Sequence, residues 1–147
     1  MDMNKNPKIA TIMVENTVIQ LNLDQKPLTK ENLKDVIQKV LSQKQKISDA
    51  VGSNWFPCGF CNLWVSGKSP LVRLIKKVGK TNELGYMQFD RIELSKAYKT
   101  GYNLYLRYNP QTAVEHQSLN FKIPLYQLLQ QGLASLGIET QLESRVD

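Results

Sequence analysis

The sequence of 147 residues predicts an α+β fold, one mainly antiparallel sheet with about three helices packed on it in the order ββαβαββαβ. Three observations predict it. Short segments alternate apolar and polar residues, longer ones repeat apolar residues at helical spacing, and Gly, Pro, Asn and Ser punctuate the boundaries between them. Helical and strand stripes that are apolar on one side bury most simply as helices covering one face of a sheet. No repeat, linker or low-complexity stretch interrupts the pattern, so residues 1–147 read as a single domain. A hydrophobic content of 41% with 22% charged residues is enough to build a core.

The elements follow in order. Ile9 to Leu23 reads as a hairpin turning at Glu15-Asn16, with Ile19, Leu21 and Leu23 alternating against Gln20 and Asn22. Thr29 is a helix N-cap ahead of Leu33, Val36, Ile37, Val40, Leu41, Ile47 and Val51, which share one face of a single helix. Gly52 to Pro57 is a loop, and Phe60 to Val65 is aromatic and β-rich enough to be a buried strand. Ser69 followed by Pro70 starts the next helix, whose apolar stripe of Leu71, Leu74, Ile75 and Val78 ends at Gly79. Tyr86 to Leu94 and Tyr102 to Tyr108 read as two strands joined around Lys99 to Gly101. In the second, Tyr102, Leu104, Leu106 and Tyr108 share one face while Asn103, Tyr105 and Arg107 share the other. Asn109 to Gln117 is a polar loop. Ser118 caps a helix reaching Leu136, with Pro124 kinking it or delaying its start and Gly137 at its C-terminal end. Ile138 to Arg145 alternates as a final strand.

Charge is distributed unevenly. The net charge is +6, and Asn62 to Tyr108 holds nine basic residues against three acids, which is the whole excess. A segregated positive field attracts polyanions and speeds their encounter. Its basic residues interleave with Tyr86, Phe89, Tyr98, Tyr102, Tyr105 and Tyr108, a composition suited to single-stranded nucleic acid, in which cations track phosphates and rings stack on bases. The candidate binding residues are therefore Lys68, Arg73, Lys76, Lys77, Lys80, Arg91, Lys99, Tyr105 and Arg107, joined by Arg145 near the C-terminus. A solvated, solubilising face is the alternative reading of the same charges. No apolar run is long enough for a membrane span, and Met1 to Lys8 lacks the apolar segment of a signal peptide. The expected location is the cytoplasm, with no membrane partner.

Catalytic constellations are sparse. Cys58 and Cys61 have the spacing of a redox pair or half a zinc site, but the sequence offers no third cysteine and only one histidine, His116, so no metal is expected there. The pair also leads into a strand and not a helix N-terminus, where a thiol would be activated. Two buried small hydrophobes are the expected role. His116 reads as a loop histidine. Ser66-Gly67-Lys68-Ser69 lacks the glycine spacing of a nucleotide-binding loop and offers at most one phosphate contact. Asp90 and Glu93 with Lys96 form the one acidic cluster on which a metal-dependent nuclease reading would rest. No cofactor is expected, and a homo-oligomer is left open.

Several short motifs carry a resemblance. They are Cys58-Gly59-Phe60 with Trp64, Ser69 with Lys76 and Lys77, Gly85-Tyr86, Gln117-Ser118 with Lys122, and Gly137-Ile138 followed by Ser144-Arg145-Val146-Asp147. Through them the chain from Pro57 onward resembles small phage and prophage proteins of unassigned function, which share a CGFAWV-like strand and an SRLD-like ending. Cys61 departs from that pattern, standing where the family has alanine, and Asp90 to Gly101 diverges or is inserted. The resemblance implies a mobile-element accessory protein and supplies no catalytic residue. The function expected is non-catalytic binding of nucleic acid or of a host nucleoprotein complex through the basic, tyrosine-rich segment. One form of it is an inhibitor of a host defence system that occupies a nucleic-acid channel or holds a nucleotide messenger. The alternatives are the metal-dependent enzyme and a structural or assembly protein with an incidental basic surface.

Overall fold

The computed structural model describes residues 8–54 and 56–147; most of the N-terminal stretch read above as lacking a signal segment lies outside them. The fold is α+β, with antiparallel sheets and helices packed against them. Lys8–Val14 (β1) and Thr17–Leu23 (β2) form the expected hairpin, closed by a two-residue turn in which Glu15 has φ of 54°. Its inward residues Ala10, Ile12, Val14, Ile19, Leu21 and Leu23 are buried. The hairpin is a sheet of its own, which corrects the expectation of a single sheet. Strand alternation fixes which side of a strand is buried, whereas strand partners are chosen by tertiary packing.

The second sheet has six strands. These are Gly59–Val65 (β3), Lys80–Thr81 (β4), Met87–Phe89 (β5), Ile92–Lys96 (β6), Tyr102–Leu106 (β7) and Gln141–Val146 (β8), in the order β4-β5-β6-β7-β3-β8 and antiparallel throughout. The single strand expected from Tyr86 to Leu94 is two. Phe89 pairs with Ile92 across a two-residue turn where Asp90 has φ of 50°, a left-handed conformation that aspartate tolerates better than most residues. The inward apolar residues Met87, Phe89, Ile92 and Leu94 change phase between 89 and 92, which is the trace of that turn in the sequence. Between β6 and β7, Gly101 has φ of 77°, and a Cβ there would lie 2.5 Å from both the Trp64 indole and the Val65 carbonyl. Only glycine fits that position.

The helices are Lys30–Leu41 (α1), Lys44–Val51 (α2), Pro70–Val78 (α3), Ala113–Gln117 (α4) and Leu119–Ala134 (α5). Thr29 Oγ1 caps α1 by accepting from Asn32 N–H at 3.1 Å, and Ser69 Oγ caps α3 by accepting from Leu71 N–H at 3.2 Å. The long helix expected from Thr29 to Val51 breaks at Ser42-Gln43, where the Ser42 hydroxyl donates to the Lys39 carbonyl at 2.6 Å. Such local side-chain bonds compete with helix continuation. The polar loop expected from Asn109 to Gln117 contains α4, started by Thr112 Oγ1 accepting from Glu115 N–H. Helix α5 continues through Pro124 without ending, and the final strand begins at Gln141 and not Ile138, which is buried beyond Gly137.

Helix α5 is the centre of the molecule. Leu119, Phe121, Leu125, Tyr126, Leu128, Leu129 and Leu133 are all buried, and it packs against β1, β3, β8, α1, α2 and α4. One face of the larger sheet lies in this core, with Cys61, Leu63, Val65, Ile92, Leu94, Leu104 and Leu106 buried. The opposite face is open to solvent and presents Phe60, Asn62, Trp64, Glu93, Asn103 and Tyr105. No helix among the described residues is long and apolar enough to cross a membrane.

Candidate functional site

The sequence-predicted residues fall on two surfaces. The first is α3. Arg73, Lys76 and Lys77 are exposed at spacings of three and four, which places them on one stripe of the helix. Lys68 lies in the turn before it and Lys80 in β4 just after it. The helix holds this stripe outward because Leu71, Val72 and Ile75 are buried on its other side. Lys76 Nζ lies 5.8 Å from the centroid of the Tyr102 ring. The ion pairs among the described residues are Lys39–Asp35 and Lys44–Glu115, so none of the five cations is neutralised by a described acid.

The second surface is the open face of the sheet. Tyr105 lies there as the alternation predicts, 37% exposed, with Leu104 and Leu106 buried on either side. Its surroundings are not purely basic. Glu93 stands directly opposite on β6, and burial, the neighbouring Tyr86 and Glu143, and then Glu93 all push the Tyr105 phenol up. Since Lys76 approaches Tyr102, which shares its strand side with the buried Leu104, α3 lies toward the core side of β7 and Tyr105 toward the other. The basic, tyrosine-rich segment is therefore divided between two sides of the sheet. Lys99 is exposed in the β6–β7 connection. With the Asn109 amide turned so that its oxygen faces the guanidinium, that oxygen accepts from Arg91 Nη1 and Nη2 at 3.0 and 3.3 Å. Arg107 borders a small cavity of about 260 Å³ beside Arg91, Lys44 and Asn109.

A larger cleft, about 830 Å³, opens where β3 and β7 part. The two strands pair only from Leu63 to Val65 against Tyr102 to Leu104. Below that point side chains satisfy backbone groups that a continuous sheet would pair. Leu106 N–H donates to the Tyr126 hydroxyl at 2.8 Å, and Lys122 Nζ donates to the Gly59 carbonyl at 2.8 Å. Gly59 lies too close to the Arg145 carbonyl and to Leu119 to carry a side chain. Lys122 Nζ is 5.8 Å and Arg145 Cζ 5.4 Å from the centroid of the Phe60 ring. Arg145 faces Phe60 across the β3–β8 ladder, and Glu143 faces Asn62, whose Nδ2 donates to Glu143 Oε1 at 3.1 Å.

Electrostatics follow burial. Desolvation lowers the Lys122 ammonium below the usual lysine range, opposed by Cys61, Asp147 and Cys58. Burial pushes the Cys61 thiol up to about 12 despite Lys122 nearby, so it is a neutral thiol and not a nucleophile at neutral pH. Cys58 and Cys61 are both free. Among the described residues no group of three or more histidine, cysteine or acidic side chains is placed to hold a metal. Glu93 is engaged by Gln88 Nε2 at 2.7 Å, while Asp90 occupies the β5–β6 turn.

The cleft gathers residues that composition alone leaves scattered. Cys58, Gly59, Phe60, Gln117, Lys122, Ser144, Arg145 and Asp147 all line it, although the three segments that hold them lie far apart in the chain. Of the predicted binding residues it takes Tyr105 and Arg145. Lys122, His116 and Tyr126 enter the site without having been candidates. One signal marks Lys122: it is the single charged residue in the otherwise apolar and amide-bearing α5. No protein-family model, curated protein or solved structure matches the chain.

Proposed function

We propose that this chain is a non-catalytic accessory protein of a phage or other mobile element that binds nucleic acid through α3. The observation that carries the reading is the uncompensated stripe of Arg73, Lys76 and Lys77, extended by Lys68 and Lys80 at its two ends. Exposed cations on a rigid helix neutralise phosphates, release the condensed counterions of the strand and bind with little regard to sequence. The mobile-element origin rests on the resemblance of the short motifs, Lys76 and Lys77 among them, to those of phage and prophage proteins. A host nucleoprotein complex whose nucleic-acid channel admits this helix is the partner through which such a protein would inhibit a defence system.

Titration of the full chain with single-stranded and duplex DNA and RNA at two ionic strengths tests the reading. Binding that weakens steeply as salt rises is the expected result. Absence of salt-sensitive binding to every one of these polymers overturns it.

A further inference from the structure

The cleft between β3 and β7 lies apart from α3 and has the chemistry of a small-molecule site. The geometry points to a pocket for one nucleotide, with its phosphate between Lys122 and Arg145, its base against Phe60 and Tyr105, and the polar edge of the base at Asn62 and Glu143.

Four observations carry this. The cavity, about 830 Å³, is of the size that encloses small ligands, typically about 300–1,000 Å³. It is built into the fold: Tyr126 and Lys122 occupy the hydrogen-bonding positions that would otherwise close β3 onto β7. Two cations from different elements, α5 and β8, converge on one exposed aromatic ring, Phe60, which is 57% exposed. Neither cation is in an ion pair with a described acid, and among the described residues the one hydrogen bond of Lys122 Nζ is to the Gly59 carbonyl, leaving donors for an anion.

The charges of the lining also shape the choice of ligand. Glu143 and Asp147 border the cleft together with Lys122 and Arg145, so the site is amphoteric and not a simple anion trap. A nucleotide matches such a lining, because it presents an anionic phosphate at one end and amino and ring N–H donors at the other. The ladder sets the same order along the open face: Arg145 is opposite Phe60, and Glu143, two residues away, is opposite Asn62. Bases stack on aromatic side chains whatever their identity, while guanidinium and ammonium groups make the charge-assisted bonds to phosphate. The phosphorylated end of a strand presents the same chemistry as a free nucleotide.

Calorimetric titration of the full chain with nucleoside 5′-monophosphates, with the matching nucleosides and with inorganic phosphate tests the assignment. Saturable binding of a monophosphate is expected, weaker by about tenfold or more for the nucleoside and for phosphate alone. Arg145→Gln, on the exposed edge strand, and Phe60→Ala are each expected to weaken it by about tenfold with the far-UV spectrum unchanged. The Arg73→Gln/Lys76→Gln/Lys77→Gln chain, which lowers affinity for long strands if α3 is the polymer surface, keeps full mononucleotide affinity. Competition by a short oligonucleotide with a 5′-phosphate against the same oligonucleotide with a 5′-hydroxyl separates the strand end from the free nucleotide as the source. The proposal is overturned if neither a monophosphate nor a phosphorylated oligonucleotide binds saturably, if Arg145→Gln binds as well as the parent, or if the α3 substitutions abolish mononucleotide binding.

Discussion

Replacing Tyr126 by phenylalanine removes a single oxygen from the floor of the cleft. That oxygen accepts from Leu106 N–H at 2.8 Å, at a point where β7 has left β3 and both residues are almost fully buried, Tyr126 at 3% and Leu106 at 4%. The ring remains, so the packing change is small and the effect is that of a lost hydrogen bond. The lost bond is worth about 0.5–1.5 kcal/mol net, and a buried N–H left unpaired costs about 1–3 kcal/mol, so a destabilisation of about 2 kcal/mol is expected. For a chain of this size that corresponds to a fall in melting temperature of roughly 4–8 °C. Urea denaturation followed by circular dichroism measures it, with an unchanged m-value showing that the folded state is as compact as before. A loss below about 0.5 kcal/mol would refute the reasoning, because Leu106 N–H would then have found a carbonyl on β3 and the phenol would not be holding the strands apart.

Three further predictions concern groups outside the proposed interfaces or at their base. Lys44 Nζ lies 3.5 Å from the carboxylate of Glu115, whose side chain is 2% exposed, and also donates to the Tyr108 and Asn109 carbonyls. Lys44→Met leaves that carboxylate buried without its cation. The expected cost in chemical denaturation is about 2–3 kcal/mol, below the roughly 3–5 kcal/mol of a fully buried pair because the Lys44 side chain keeps 19% exposure; a neutral effect contradicts the pairing. Burial pushes the Tyr108 phenol up to about 12, from 10.0 in the unfolded chain. The folded state therefore holds that proton more tightly, and its stabilising contribution is full below pH 10 and lost as pH rises toward 12. Denaturation curves across that range, read beside tyrosinate absorbance, check the decline; a flat profile contradicts it. Iodoacetamide near neutral pH is expected to label Cys58, which is partly exposed, and to spare Cys61 until the chain is unfolded, because the buried thiol is held protonated. Peptide mass spectrometry reads the two sites separately, and equal rates contradict the burial.

Local chemistry in the sequence was enough to place two of the three caps and the strand faces; Ser118 precedes α5, but its hydroxyl makes no capping bond. Thr29 and Ser69 cap the helices they precede, and alternation from Tyr102 to Leu106 identifies which residues are buried and which face solvent. Where a single side-chain bond or a change of phase decides the outcome, the pattern misleads. The Ser42 hydroxyl ends α1 inside an apolar stripe that runs on to Val51, and Asp90 turns a segment whose apolar residues on both sides, Met87, Phe89, Ile92 and Leu94, read as one strand. Helix α4 is short, and its polar composition resembles a loop until Thr112 and Glu115 are seen to cap and anchor it. The division of the basic segment was not legible, because alternation separates Tyr102 from Tyr105 but does not say on which side of the sheet α3 will pack. The cleft was legible only in fragments. Its lining comes from segments joined by the β3–β8 ladder and the docking of α5, and the candidates Tyr105 and Arg145, with the isolated charge of Lys122 in an otherwise uncharged helix, were the separate traces of it.

The most direct test of nucleic-acid binding through α3 is the slope of log affinity against log salt for a single-stranded oligonucleotide, measured with the parent chain and with the Arg73→Gln/Lys76→Gln/Lys77→Gln chain. Each phosphate contact on a single strand contributes about 0.7 to the slope, so removal of three is expected to flatten it by about 2. Between 50 and 200 mM salt the parent would then lose roughly 20-fold more affinity than the variant. Identical slopes for the two chains, or no salt dependence in the parent, would contradict the assignment of α3 as the phosphate-binding surface.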